Sequence, residues 1–272
     1  MTKTDKYDFS FTASSLRLNE MLLVARAIND GVEIDYTNDL GGGKSSTGKR
    51  MLSEFKKRIL HLTPAQFNVL LNSDLVTQKQ LTLVSVCKSY SFIREFIVEV
   101  VREKVLVYDF QITDGDYISF YRRKFDLHEE MDSLTELTEK KIKQVTFKIL
   151  EQAGLINDIK NRLIQPQIID YKFMKALVKD NPNFLKVLLV SDTDIQRAKE
   201  KFAITGKKGE ELIAQFLDKQ KSKKLISDYK WMNSSRESAM PYDFEIIQSD
   251  NNKIFTDVKT TSYKFEQGMI FS

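Results

Sequence analysis

Within this 272-residue chain, Gly41-Gly42-Gly43-Lys44-Ser45 comes nearest to phosphate chemistry: glycine-rich turns free backbone amides for phosphate oxygens, and the lysine adds charge. The spacing argues against a nucleotide site. In the frame ending at Lys44 and Ser45, Asn38 occupies the first glycine position; in the frame ending at Gly48 and Lys49, Arg50 stands where a hydroxyl must meet magnesium. The segment therefore reads as a flexible, basic interhelical loop. It leads into Lys49, Arg50, Lys56, Lys57 and Arg58, on a predicted helix whose apolar side is Met51, Leu52, Phe55, Ile59 and Leu60. A dense cationic helix face binds nucleic acid because neutralised phosphates release counterions, and it can equally be an ordinary solvated face. Arg122, Arg123 and Lys124 pose the same pair of readings. Cys87 has no cysteine to pair with, and with His61 and His128 it makes too few ligands for structural zinc. Cys87 and Tyr90 fall on an apolar helix face and read as core rather than reactive groups.

The elements that must position these residues are predominantly helical. From Ser14 to about Asp194 apolar residues recur at helical spacing, as in Phe92, Ile93, Phe96, Ile97, Val100, Val101 and Val105. Ile142, Val145, Ile149 and Leu150 form a second stripe, opposite Lys140, Lys141, Lys143 and Lys148. Thr63 before Pro64, Thr113 before Asp114 and Asp116, and Thr135 with Thr138 before Glu139 mark helix starts. About eight helices with short connections predict a bundle. After Lys199 the pattern changes. Gly206 to Lys221 reads as one amphipathic helix with Leu212, Ile213, Phe216 and Leu217 inward. Two strands follow, Phe244, Ile246 and Ile247, then Ile254, Phe255 and Val258, joined by a turn over Ser249 to Asn252.

With 42% hydrophobic residues, 29% charged, 10 Gly and 4 Pro, the chain has apolar surface enough for a core and little disorder chemistry. Its apolar runs fall short of the roughly 20 residues a membrane helix needs, and residues 1 to 10 carry no apolar signal core, so a cytoplasmic location is expected. A net charge of +4 is a weak pointer to polyanions.

The helical region carries a family resemblance. Ser10-Phe11-Thr12, Leu18-Asn19-Glu20, Ser46-Thr47-Gly48-Lys49-Arg50, Leu62-Thr63, Cys87-Lys88-Ser89-Tyr90 and Ile93-Arg94-Glu95-Phe96 occur in an order and spacing similar to the BrxA family. Val98 through Lys104, Lys143-Gln144-Val145 and Ala153-Gly154-Leu155-Ile156 extend it over residues 8 to 195. The resemblance implies a NusB-like helical bundle, a small non-enzymatic component of BREX bacteriophage-exclusion loci. It also implies DNA as ligand ahead of RNA, other BREX proteins as partners, and no cofactor for this domain. The residues expected to meet DNA are Lys49, Arg50, Lys56, Lys57 and Arg58. Asn19 and Glu20 are expected to cap or brace helices.

Residues 201 to 272 resemble the PD-(D/E)xK nuclease superfamily, through Pro241-Tyr242-Asp243 at one strand and Asp257-Val258-Lys259 at the next. The closer likeness is to the C-terminal domain of the plant protein NO VEIN, with its Gly-Glu helix, here Gly209-Glu210, and its strand ending Lys259-Thr260-Thr261. That resemblance implies an α+β, restriction-endonuclease-like fold and a catalytic set of Glu210, Asp243, Asp257 and Lys259. Asp243 and Asp257 would hold a hard cation such as Mg2+, with the lysine positioning water. Asp257 stands where that family carries Glu, and the family continues past the position of Ser272, which implies an incomplete, non-catalytic tail. The expected fold class is thus mainly α, a helical bundle with a small incomplete α+β tail. The alternatives to a DNA-binding component are a Mg2+-dependent endonuclease in phage defence and a protein adaptor in a defence complex.

Overall fold

The computed structural model describes residues 6–234, 242–258 and 260. It is mainly helical with a small three-stranded antiparallel sheet. The chain divides into two compact units, one ending at Ile195 and the other beginning at Gln196. No helix of the described residues is long and apolar enough to cross a membrane.

The first unit runs from a 3-10 turn at Ser10–Ala13 through α1 (Leu18–Asp30), α2 (Ser45–Leu60), α3 (Pro64–Asn72), α4 (Leu75–Ser89) and α5 (Ser91–Phe96). A π turn over Ile97–Arg102 joins α5 to α6 (Glu103–Leu106), and α7 (Asp114–Phe125), α8 (Glu136–Ala153) and α9 (Tyr171–Asp180) follow. Side-chain caps fix several starts. Thr63 and Gln66 form a reciprocal capping box ahead of Pro64, and Thr113 and Asp116 form another at α7. Thr135 caps α8, which ends at Gly154 in the left-handed conformation that frees it to stop.

Helix α4 is the axis of the core. Leu81, Leu83, Val84, Val86 and Cys87 are buried on it together with Thr77, Gln78, Gln80, Thr82 and Ser85, so it is enclosed on all sides. Its polar side chains bond to backbone: Gln78 donates to the Leu70 carbonyl at 3.0 Å, Thr82 to Gln78 at 2.8 Å and Ser85 to Thr82 at 2.7 Å. A chain of edge-on rings, Phe92 to Phe120 at 5.3 Å, Phe120 to Phe96 at 5.2 Å and Phe96 to Phe147 at 5.9 Å, ties α5, α7 and α8 together.

Helix α10 (Asp192–Ser222) is 31 residues long and runs through Gly206 and Gly209, where the spacing had a helix only from Gly206. Its inward residues are Ala214 and Leu217 with Ile213 half-buried, whereas Leu212 and Phe216, expected inward, are exposed. They pack with Phe244 of a meander in the order β1 (Ile226–Trp231), β2 (Phe244–Gln248) and β3 (Lys253–Thr256). The expected pair β2 and β3 is joined in antiparallel register, Phe244 opposite Thr256. Strand β1 is additional. An irregularity between Ile226 and Asp228 shifts its register and breaks the period-two signal that would have revealed it.

Candidate nucleic-acid interface

Helix α2 carries the basic run Lys49, Arg50, Lys56, Lys57 and Arg58. At about 100° per residue, Ser46, Lys49, Arg50, Ser53, Lys56 and Lys57 share one arc, while Met51, Glu54, Phe55, Arg58 and Ile59 share the other. Burial follows that division. Lys49, Arg50 and Lys56 are exposed and Lys57 is half-buried. Among the described residues no acidic group comes within 4.0 Å of Lys49, Arg50 or Lys56. Lys57 is held by Asp8 at 2.5 Å, with its ammonium 4.4 Å from the centroid of the Tyr90 ring.

Arg58 corrects the expectation placed on it. Its side chain is 0% exposed, and its Nε donates to Glu54 at 2.7 Å while Nη1 and Nη2 donate to the carbonyls of Ser15 at 2.8 Å and Ser14 at 2.6 Å. It is a clamp on the N-terminal segment and reaches no phosphate. The Tyr90 hydroxyl donates to the same Glu54 carboxylate and lies 3.1 Å from Ser10 Oγ. Burial and that carboxylate push the Tyr90 phenol well above its usual range. Leu60, assigned to the apolar side, is exposed.

The network seats the Ser10–Ala13 turn against α2 and leaves a groove of about 500 Å³ between them. Ser10, Ser46 and Ser53 supply hydroxyls to it, Lys49, Arg50 and Lys57 supply positive charge, and Glu54, engaged by Arg58 and Tyr90, lies at its wall. Ser10, Ser53 and Asp8 are site residues that no basic run contains, although Ser10 opens the Ser10-Phe11-Thr12 motif.

The loop ahead of α2 is internally hydrogen-bonded. Asp35 accepts from the Thr37 and Asn38 amides and starts a π turn at Tyr36–Leu40. The Gly41 amide is spent on Tyr36 O at 2.9 Å, that of Gly43 on Thr37 O at 2.9 Å and that of Lys44 on Gly41 O at 3.1 Å. Amides so engaged cannot cradle a phosphate chain, in keeping with the failed P-loop spacing. Gly48 is needed because a Cβ there would overlap the Tyr36 carbonyl oxygen.

The second basic group is largely neutralised. Lys124 is buried and meets Glu95 and Glu99 at 2.6 Å each, and Arg123 lies 3.7 Å from Glu99. Lys143 pairs with Asp114 at 2.7 Å, Lys148 with Glu151 at 2.5 Å. Cys87 is wholly buried, and burial lifts its thiol to about 12. Glu20 braces Arg17 at 3.1 Å.

In the second unit Glu210 accepts from Trp231 Nε1 at 2.9 Å. Asp243 accepts from Asn233 at 2.7 Å and from the Val258 amide at 2.7 Å. Partial burial, a hydrogen bond with Asp257 and the charges of Glu210 and Asp257 raise the Asp243 carboxyl above its ordinary value. Gly209 lets residue 260 close onto α10, since a Cβ there would overlap the Thr260 side chain. Lys259 and Pro241 lie outside the described residues. Among the described residues no group of three or more His, Cys, Asp or Glu side chains could hold a metal ion. The oxygen donors of Glu210, Asp243 and Asp257 are of the kind that a hard cation takes.

The fold and this face define a class: a helical bundle whose N-terminal turn and second helix enclose a cationic, hydroxyl-lined groove. The chain belongs to the BrxA family, whose model matches residues 5–181. It is 25% identical over 178 residues to the BREX protein BrxA of Bacillus cereus (strain H3081.97), covering 62% of this chain and 89% of that protein. An uncharacterized protein from Magnetospirillum magneticum has a crystal structure of similar fold, with a TM-score of 0.58 at 18% identity, over 68% of this chain and 98% of that one. The groove of α2 lies inside the family match, and the sheet of the second unit lies outside it.

Proposed function

We propose that this protein is a non-enzymatic DNA-binding component of a BREX phage-exclusion system, acting with other BREX proteins. The observation that carries the reading is the meeting of two separated motifs, Ser10-Phe11-Thr12 and Ser46-Thr47-Gly48-Lys49-Arg50, around one groove. Three of its neighbouring cations, Lys49, Arg50 and Lys56, have no internal partner to give up on meeting a phosphate. Lys49 and Lys56 are two turns apart, about 10.5 Å along the helix, a span that several phosphates of one strand cover. Lys57 stands beside them, its charge already balanced by Asp8.

The test is a mobility-shift titration of duplex DNA across a salt series, without and with magnesium. Replacing Lys49, Arg50 and Lys56 by glutamine should lower the slope of log K against log salt by about 2.7 for three lost phosphate contacts. An unchanged slope would sink the assignment of this face. Absence of any shift at low salt would favour a protein adaptor whose basic face meets acidic partners.

A second reading, a Mg2+-dependent endonuclease, draws support from the approach of Glu210 and Asp257 to Asp243. Asp243 and Asp257 would be its metal ligands and Lys259 its water-positioning group. DNA cleavage that needs magnesium or manganese and disappears in Asp243→Ala would establish it; intact DNA under every metal condition would remove it.

A further inference from the structure

A groove of about 550 Å³ lies between α7 and α8, on residues that the DNA-binding reading does not use. Its walls are aromatic. Tyr117 and Tyr121 stand one turn apart with ring centroids 6.1 Å apart and planes 26° from parallel, and the exposed ring of Phe125 continues the row. Its rim is charged, with Arg122 and Asp126 exposed to solvent, Lys140 in an exposed ion pair with Glu136 at 3.5 Å, and the Lys143 ammonium 5.6 Å from the Tyr117 ring centroid. Burial pushes the phenols of both tyrosines up, and the charge of Glu139 at the same wall adds to it.

Tyr117 is the informative residue. It is 4% exposed, and among the described residues its buried hydroxyl has no hydrogen-bond partner. Buried hydroxyls are normally satisfied, and phenylalanine would fill the same volume without that penalty. The hydroxyl is explained if an occupant of the groove completes it. A flat heterocycle offers ring faces to the tyrosines and edge donors or acceptors to the Tyr117 hydroxyl, and an attached phosphate has Arg122 and Lys140 within the same rim.

We infer that the groove between α7 and α8 takes one unstacked nucleotide, its base against Tyr117 and Tyr121 and its phosphate on Arg122 and Lys140. A duplex keeps its bases stacked, so the groove selects unpaired strand or free nucleotide, whereas the α2 face reads only backbone charge. The two sites are independent in residues, and either can fail alone.

The full chain is titrated into a single-stranded octanucleotide carrying one 2-aminopurine, whose emission falls when the base is enclosed by aromatic rings. Tyr117→Phe loses no internal hydrogen bond, so its melting temperature should match or exceed that of the parent, while its affinity for the probe should fall about three- to tenfold. Lys140→Glu should weaken binding and reduce its salt dependence. The Lys49, Arg50 and Lys56 glutamine variant should lose duplex binding and keep the 2-aminopurine quench, which separates failure of the α2 reading from failure of this one. Competition by dAMP alone at the oligonucleotide's affinity identifies free nucleotide as the source, and weaker competition identifies unpaired strand; both retain the groove as a nucleotide site. The inference is overturned if the probe is not quenched, or if Tyr117→Phe binds it as tightly as the parent.

Discussion

Replacing Arg58 by methionine should damage the fold and spare the DNA-binding face. The guanidinium is fully buried and satisfies three acceptors, Glu54 and the carbonyls of Ser14 and Ser15. Removing one member of a buried ion pair costs about 3–5 kcal/mol, because the remaining charge is stranded. Here Glu54 keeps the hydroxyl of Tyr90 and methionine fills most of the volume, which places the loss near the lower end, about 3 kcal/mol. For a unit of this size each kcal/mol moves the midpoint by roughly 2–4 °C, so the melting temperature should drop by about 6–12 °C. Adding Glu54→Leu should recover part of the loss, since a buried pair exchanged as a whole for apolar groups is often neutral. The assay pairs thermal unfolding by circular dichroism with DNA affinity at fixed salt, referred to the folded fraction. An unchanged melting temperature with a large loss of affinity would refute the clamp and return Arg58 to the phosphate-binding set.

Gly48→Ala should destabilise the first unit although alanine ordinarily improves a helix by up to about 1 kcal/mol, because the new methyl meets the Tyr36 carbonyl; a raised denaturation midpoint would disprove the close packing. Cys87 should resist a thiol reagent at pH 8 in the native protein and react once unfolded, as its burial and lifted thiol require; fast native labelling would contradict both. Lys186 and Arg102 hold the Asp192 carboxyl down to about 2, against 3.8 for a free aspartate. Its contribution to stability is therefore complete above pH 4 and fades as pH falls from about 4 to about 2. Asp192→Asn should flatten the pH dependence of unfolding in that window, most visibly at low salt; an identical profile would show the ion pair idle.

The sequence made the helix starts legible because their signals are local. Thr63, Thr113 and Thr135 each cap the helix that their spacing announces, with contacts three residues away. The buried faces of α5 and α8 were equally readable, since Phe92, Phe96, Ile142 and Ile149 repeat at helical period and are all buried. Arg58 was misread for want of a wheel: it lies three residues past Phe55 and seven past Met51, on their side of α2. Strand β1 was hidden by its irregular register, and the length of α10 by two glycines that usually argue for an interruption. At the candidate site, basic residues announced the cations, but nothing local shows that Ser10 faces them or that Asp8 anchors Lys57. Those relations come from tertiary packing across Tyr90 and Glu54.

The π turn at Ile97–Arg102 sets the phase of the helix that runs from Ser91 to Leu106. A π turn accommodates one residue more than an α-helical turn would, so everything after it is rotated by about 100° relative to an uninterrupted rod. That extra step brings Arg102 round to donate to the Val190 carbonyl at 2.8 Å and to Asp192 at 2.7 Å, fastening the chain where α10 begins. The helix thus behaves as a gear with one surplus tooth. Deleting one residue of this stretch would return the rod to an uninterrupted phase, and the residue that such a change would unfasten first is Arg102.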